Sequence, residues 1–169
     1  MTSIRKFHNS DWSEIWTILE PEFQSGESYS FPVDISEQEA FRIWIEQPTV
    51  TFVAENGIGN ISGTYYIKPN QPGQGSHVCN CGYVVAEYAR GQGIASEMYR
   101  HSHQQAVSMG FRCMQYNMVV ASNEGAVRLW KHHGFHIAGT LPEAFHHPKL
   151  GYVDAYVMYK KLVSDLLET

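Results

Sequence analysis

Residues 84–95, Val84-Val85-Ala86-Glu87-Tyr88-Ala89-Arg90-Gly91-Gln92-Gly93-Ile94-Ala95, run from an apolar β-type segment into a turn and straight on into a helical pattern. Gly91, Gly93 and Ala95 are small enough to let backbone approach a ligand closely. Successive N–H groups at a helix start form an anion nest, and the helix dipole adds partial positive charge. Arg90 adds a planar cation beside it. Together they suit a pyrophosphate. The spacing is not that of the dinucleotide fold, because Ser96 only partly fits the third small position of G-x-G-x-x-G and the preceding strands read as antiparallel. No Gly-Lys-Ser/Thr follows, so it is not a P-loop either. Taken alone, the motif is equally a strand–helix turn with a surface arginine.

Two asparagines stand inside apolar strands, where Asn is disfavoured. On residues 77–85 the period of two places Val78, Asn80, Gly82 and Val84 on one face and Cys79, Cys81, Tyr83 and Val85 on the other. On residues 114–120, Asn117 shares a face with Gln115 and Val119. A neutral amide can bind an amino acid or orient a carbonyl, but it cannot act as a base. Asn80 and Asn117 are the candidate catalytic residues. The competing reading is an amide that satisfies backbone groups between two strands.

Other reactive residue types are weaker signals. Cys79 and Cys81 are one residue apart with only Cys113 besides, which lacks zinc-site spacing and reads as buried thiols, so no metal site is expected. His132, His133 and His136 flank a helix end, where cations suit the dipole. His146 and His147, before Pro148, read as a loop that either binds an acceptor carboxylate or is solvated. Glu27, Tyr29 and Phe31 fall in a polar and aromatic loop that either covers an acceptor site or is mobile surface. Glu55 and Asp154 are either proton relays or solvated strand ends.

The elements that must position these residues follow from periodicity. Residues 2–7 fit a short strand. Asp11 is a candidate N-cap for a helix carrying Trp12, Ile15, Trp16 and Leu19, limited by Pro21. Residues 36–47 form a second helix, ended by Pro48. Residues 51–55 and 61–68 read as a hairpin turned at Asn56-Gly57. Residues 77–85 are a third strand, 93–109 a helix, 114–120 a strand, and 124–133 a helix with Gly134 just past its end. Residues 135–138 and 153–160 finish as strands. The mixture places the chain in the α/β or α+β class with a mixed sheet.

Size and charge bound the rest. The 169 residues, 43% hydrophobic and 17% charged, fit one domain over residues 1–169 that can bury its own core. A formal charge of −5 without a basic block excludes non-specific nucleic-acid binding and a polybasic membrane patch. No window approaches the roughly 18 apolar residues of a membrane span. The start has no apolar signal region, and three cysteines in a core-capable chain suit reduced thiols, so a cytoplasmic location is expected.

A second segment, Asn123-Glu124-Gly125-Ala126-Val127-Arg128-Leu129-Trp130-Lys131-His132-His133-Gly134-Phe135, lies one strand beyond the glycine turn. The two segments resemble the paired signatures of the GCN5-related N-acetyltransferase (GNAT) superfamily. Arg90, Gly93 and Ala95 match the first signature, and Asn123, Ala126, Gly134 and Phe135 match the second. The resemblance spans nearly the whole chain. It implies the GNAT fold: a mixed, mostly antiparallel sheet of six to seven strands with about four helices, the fourth and fifth strands splayed around acetyl-CoA. Acetyl-CoA would be the donor, with its pyrophosphate on Arg90, Gly91, Gln92, Gly93, Ile94, Ala95 and Ser96. Its pantetheine would lie along Val84 and Val85, with Asn123, Ala126 and Trp130 on the other side. The family usually has Tyr where this chain has Trp130, and that hydroxyl commonly protonates the departing thiolate. An indole cannot do so.

Within the superfamily the chain is similar to proline-analogue (azetidine-2-carboxylate) N-acetyltransferases. Matching stretches are residues 67–73, 77–83, 117–120 and 151–155. That similarity implies that Asn80, Asn117 and Met118 line the acceptor site and that Asn123 contacts the cofactor. Tyr29 and Glu27, from the loop after the first helix, are further acceptor-site candidates on their position alone. The expected reaction is direct attack of a small amine or amino acid on the thioester in a ternary complex. A non-catalytic acyl-CoA-binding or sensing module on the same fold is the alternative. Many members pair, so a homodimer is compatible.

Overall fold

The β-type runs collect into one sheet. A computed structural model describes residues 2–163. It has seven strands: β1 (Ser3–Lys6), β2 (Val50–Glu55), β3 (Ile61–Pro69), β4 (Val78–Val85), β5 (Cys113–Val120), β6 (His136–His147) and β7 (Gly151–Lys161). Four α-helices accompany them: α1 (Trp12–Ser25), α2 (Glu37–Phe41), α3 (Ile94–Ser108) and α4 (Glu124–His132). The strand order is β1-β2-β3-β4-β5-β7-β6. Every neighbouring pair is antiparallel except β4 and β5, which are parallel. This is the mixed sheet expected from the sequence.

Helices cover both faces of the central strands, which is why β3 is buried over most of its length. On one face Tyr65 and Tyr83 reach α3, bonding His101 Nδ1 at 2.5 Å and Ser102 Oγ at 2.7 Å. On the other face Tyr66 packs edge-on against Trp44, their rings 4.8 Å apart. Gly82 makes this packing possible: a Cβ there would meet the Tyr66 ring at 2.6 Å. Trp44 sits in the π turn Arg42–Glu46 that continues α2, and is fully buried with Phe23, Ile15, Leu19, Met98, Met114 and Met158.

Four local expectations need correction. Pro21 does not limit α1, which runs on to Ser25 and stops at Gly26. The proline removes one intrahelical bond, but Ile18, Leu19 and Phe23 are buried and hold the helix by packing. Asp11 stands at the N-cap of α1 without capping it by a side-chain bond. Its carboxylate instead binds Arg5 at 2.7 and 2.9 Å and the His8 N–H at 2.7 Å. The hairpin after β2 is a wider loop, with Asn56 Oδ1 accepting from the N–H groups of Ile58 and Asn60. Lastly, β6 extends to His147, so His146 and His147 belong to a strand. Register shifts at Ile137/Gly139 and Leu141/Phe145 break its period of two and hide it in the sequence.

The three cysteines are buried and free. Among the described residues no group of three or more His, Cys, Asp or Glu could hold a metal ion. No helix there is long and apolar enough to cross a membrane.

Candidate active site

The site begins where β4 and β5 part. They pair only at Val78–Cys113 and Cys79–Met114. Asn80 then donates from Nδ2 to the Gln115 carbonyl at 2.9 Å, closing the apex of the opening. Beyond it the two strands diverge and two cavities occupy the gap.

The larger cavity, about 860 Å³, follows the β4 edge from Tyr83 through Val84, Val85 and Ala86 to Arg90 and Gly91. Thr17, Ile18 and Pro21 of α1 form one wall, and Asn123, Gly125 and Ala126 at the start of α4 form another. Along this turn the cavity lining ends at Gly91, and residues 92–96 lie beyond it. Gly91 and Gly93 have φ of +75° and +83°, and a Cβ at either would point into open space. The turn is therefore an exposed, left-handed entry into α3, with the first-turn N–H groups facing outward from the helix start. An unpaired strand edge leading to an anion nest fits an extended chain that carries a pyrophosphate.

Side chains in this turn are already placed. Gln92 Nε2 donates to the Tyr88 carbonyl at 2.9 Å, and Ser96 Oγ meets His133 Nε2 at 2.8 Å. Ile94 is buried in the core. These three residues, with Gly93 and Ala95, would offer a ligand their backbone. Asn123 Oδ1 accepts from the Ala126 N–H at 3.1 Å, so Asn123 caps α4 as it lines the cavity.

The smaller cavity, about 330 Å³, lies toward the apex. Asn80, Asn117, Met118, Lys68, Tyr66, Phe31 and Trp130 line it. Asn117 and Met118 occupy a register shift in β5, which turns both outward. Asn117 Nδ2 donates to Asn70 Oδ1 at 2.7 Å, and its own Oδ1 accepts from Gln115 Nε2 at 2.9 Å. Lys68 Nζ lies over the Tyr66 ring at 5.3 Å, a cation at the cavity wall.

Glu22, Ser28, Tyr83, Asn123 and Ala126 line both cavities and mark where they meet. Here the Tyr29 hydroxyl donates to the Tyr83 carbonyl at 3.0 Å and accepts from the Tyr83 N–H at 2.9 Å. It thus occupies both edge groups of β4 at the junction. Burial pushes the Tyr29 phenol well above its usual pKa, so it stays neutral. Tyr29 stacks on Phe31 and meets Phe23 and Trp44 edge-on, so the loop is anchored. Glu27 lies on the rim of the larger cavity instead, paired with Lys149 at 2.6 Å beside the buried His147.

Trp130 lies in an aromatic cluster with Tyr83 and Tyr116, ring centroids 5.1 and 4.7 Å away. Beside it the Tyr116 hydroxyl donates to Tyr83, Tyr83 to Ser102, and Ser102 to the Tyr99 carbonyl. Burial pushes both tyrosine pKa values well up. The chain of hydroxyls ends on a carbonyl, so it supplies no route to solvent for a proton.

The structure brings Val84, Val85, Arg90, Gly91, Asn123 and Ala126 together along one cavity, and Asn80, Asn117, Met118, Tyr29 and Trp130 along the other. Glu55 and Asp154 line neither. Glu55 pairs with Arg5 at 2.5 Å, and Asp154 accepts from the Glu143 N–H at 3.0 Å. Sequence reasoning missed Glu22, Ser28, Lys68, Tyr66 and Tyr83. Lys68 stands in a stretch already singled out, so its charge was the available signal. Tyr83 and Ser28 also stood in stretches already singled out, whereas Glu22 and Tyr66 had no such signal.

Comparison with known proteins identifies the family and the fold. The sequence pattern of the acetyltransferase (GNAT) family matches residues 12–135. The chain is 37% identical over 99 residues to N-acetyltransferase aca1 of Schizosaccharomyces pombe, a match covering 58% of this chain. The chain spans about half the length of that relative, 47%. A GCN5-related N-acetyltransferase from Kribbella flavida superposes with a TM-score of 0.90 at 35% identity, covering 95% of this chain and 97% of that one. The fold is also that of yncA of Salmonella typhimurium, solved with its cofactor acetyl-CoA. There the TM-score is 0.81 at 17% identity, over 97% of this chain and 95% of that one.

Proposed function

We propose that this chain, which belongs to the acetyltransferase (GNAT) family, moves an acetyl group from acetyl-CoA to the amine of a small amino acid. The observation that carries the acceptor class is Lys68 at the wall of the smaller cavity. A cation there, flanked by the amides of Asn80 and Asn117, is suited to a carboxylate, which leaves the amine directed toward the junction. A cavity of about 330 Å³ suits a small acceptor such as a proline analogue.

The donor supplies an acetyl group activated as a thioester. The chain's own residues bind and align. Arg90 and the backbone N–H groups of residues 91–96 hold the pyrophosphate by charge and dipole. The free edge of β4 at Val84 and Val85 and the start of α4 at Asn123 and Ala126 guide the pantetheine. Asn80, Asn117 and Met118 orient the acceptor, with Tyr29 closing the junction against Tyr83. Alignment of two bound reactants is a large share of such catalysis. Trp130 packs where the family has a tyrosine, and its indole N–H is a hydrogen-bond donor that cannot act as an acid. The departing sulfur, with a thiol pKa of about 8.5 by analogy with cysteine, takes its proton from solvent.

The test is thiol release from acetyl-CoA with four acceptors: azetidine-2-carboxylate, proline, azetidine and pyrrolidine. Faster turnover of the two carboxylates supports the reading. Equal turnover of the bare amines overturns the amino-acid assignment. Acetyl-CoA binding without thiol release from any acceptor identifies a non-catalytic acyl-CoA sensor.

A further inference from the structure

Glu22 sits one turn before the end of α1 with both carboxylate oxygens engaged. Oε2 accepts from Arg90 Nη2 at 2.8 Å, and Oε1 accepts from the Ser28 hydroxyl. The Glu22 side chain is 19% exposed, whereas that of Arg90 is 58% exposed. Glu22 also belongs to the strip where the two cavities meet. Among the described residues lining the smaller cavity it is the one carboxylate, and no histidine is present. The other ionisable hydroxyls and thiol there, on Tyr29, Tyr66, Tyr83, Tyr116 and Cys81, are all pushed upward by burial. Neutral, they cannot accept an ammonium proton. Arg90, meanwhile, stands at the nest that suits a pyrophosphate, and a guanidinium fork bonds phosphate as readily as carboxylate.

We propose that Glu22 is the proton acceptor for the incoming amine, and that the donor's pyrophosphate draws Arg90 away from it. This rests on the acetyl-transfer reading above. An N–H bond of the bound ammonium breaks and its proton passes to a Glu22 oxygen, directly or through the Ser28 hydroxyl. The nitrogen keeps the electron pair, which forms the C–N bond as the C–S bond breaks and its pair leaves on sulfur. The acylated nitrogen then sheds one further N–H proton to solvent, the thiolate takes one proton from solvent, and the proton on Glu22 is released, for a net release of one proton. Before the donor arrives the carboxylate is neutralised by Arg90, and afterwards it is free to act. One residue thus couples donor binding to activation of the acceptor.

Two measurements test this. In calorimetry, Glu22→Gln removes the anion that competes for Arg90, so acetyl-CoA binds about two- to fivefold tighter, the scale of an exposed ion pair. In an Arg90→Gln background the same change leaves affinity unaltered. In turnover with azetidine-2-carboxylate, Glu22→Gln lowers kcat on the order of 10²-fold or more, as loss of a general base does. The defect shrinks with O-methylhydroxylamine, an amine already neutral at pH 7, and Glu22→Asp restores part of the rate. Unchanged turnover, or an equal loss with both amines, overturns the base assignment. Unchanged or weaker acetyl-CoA binding by Glu22→Gln overturns the exchange at Arg90, and decides alone if the wild type acetylates neither amine. Failure of the wild type to bind acetyl-CoA would instead overturn the parent reading.

Discussion

The two cavities are built from different parts of the chain. The larger one runs along a strand edge to a left-handed glycine turn and the start of α4, facing a wall of α1. The smaller one is mostly side chains: two asparagines, a lysine, a methionine and aromatic rings. Backbone recognition asks only for a shape and a few permissive residues, so it suits a ligand shared by many proteins. Side-chain recognition can be rewritten position by position, so it suits a ligand particular to one.

If that division holds, damage should separate cleanly. The largest effect is expected from Gly93→Asp, which strains a φ of +83° and sets a carboxylate against phosphate. Strain of roughly 1–3 kcal/mol plus repulsion should weaken acetyl-CoA binding on the order of 10²-fold by calorimetry. Full retention of affinity would break the assignment of the larger cavity. Lys68→Met should raise the KM for azetidine-2-carboxylate about tenfold or more, the worth of a charged hydrogen bond, and leave acetyl-CoA affinity unchanged. A matching rise for bare azetidine would deny Lys68 its carboxylate.

Asn80→Ala tests a residue with two duties. It removes the donor to the Gln115 carbonyl, costing roughly 1–3 kcal/mol in denaturant titration. It should also lower turnover several-fold more than it lowers donor affinity. Loss of stability with full turnover would make Asn80 a strut alone. Tyr29→Phe removes the hydroxyl that holds both Tyr83 edge groups, so stability falls by about 1 kcal/mol. The freed edge should then bind acetyl-CoA somewhat more tightly.

The smallest effect on either cavity is expected far away, at Asp11. The Arg5 guanidinium holds its carboxyl below the usual carboxylate range, outweighing burial. A depressed folded pKa stabilises the fold fully above the unfolded value of about 3.9. That contribution is lost as pH falls through the lower folded value. Acid unfolding of Asp11→Asn should therefore lose one proton of pH sensitivity, while both ligand affinities at neutral pH stay as they were.

The same division governs what could be read from the residues alone. Gly91, Gly93 and the Asn123 cap act within one turn of chain, so their roles are written locally. Tyr29 meets Tyr83 across 54 residues, and Glu22 meets Arg90 across 68. No local pattern announces such pairs. The strands themselves could be read from alternation wherever alternation was intact. It failed in β6, where two register shifts and Pro142 interrupt the period, and there His146 and His147 were misassigned to a loop. Pro21 misled for the opposite reason: packing of Ile18, Leu19 and Phe23 outweighed a local helix breaker.

The narrow join between β4 and β5 bears on how the chain folds. Strands β1 to β4 all come from residues 3–85, and β5 to β7 all come from residues 113–161. Each set is held by antiparallel partners within itself, and the strand ladder that joins the two sets is confined to Val78–Cys113 and Cys79–Met114. The β2–β3 and β6–β7 hairpins can therefore reach their register through the shortest loop closures, whereas the parallel seam has to bring Val78 and Cys113 together across the whole of α3. Pulsed hydrogen exchange during refolding would read that order directly, with β2–β3 and β6–β7 protected before the Val78–Cys113 seam.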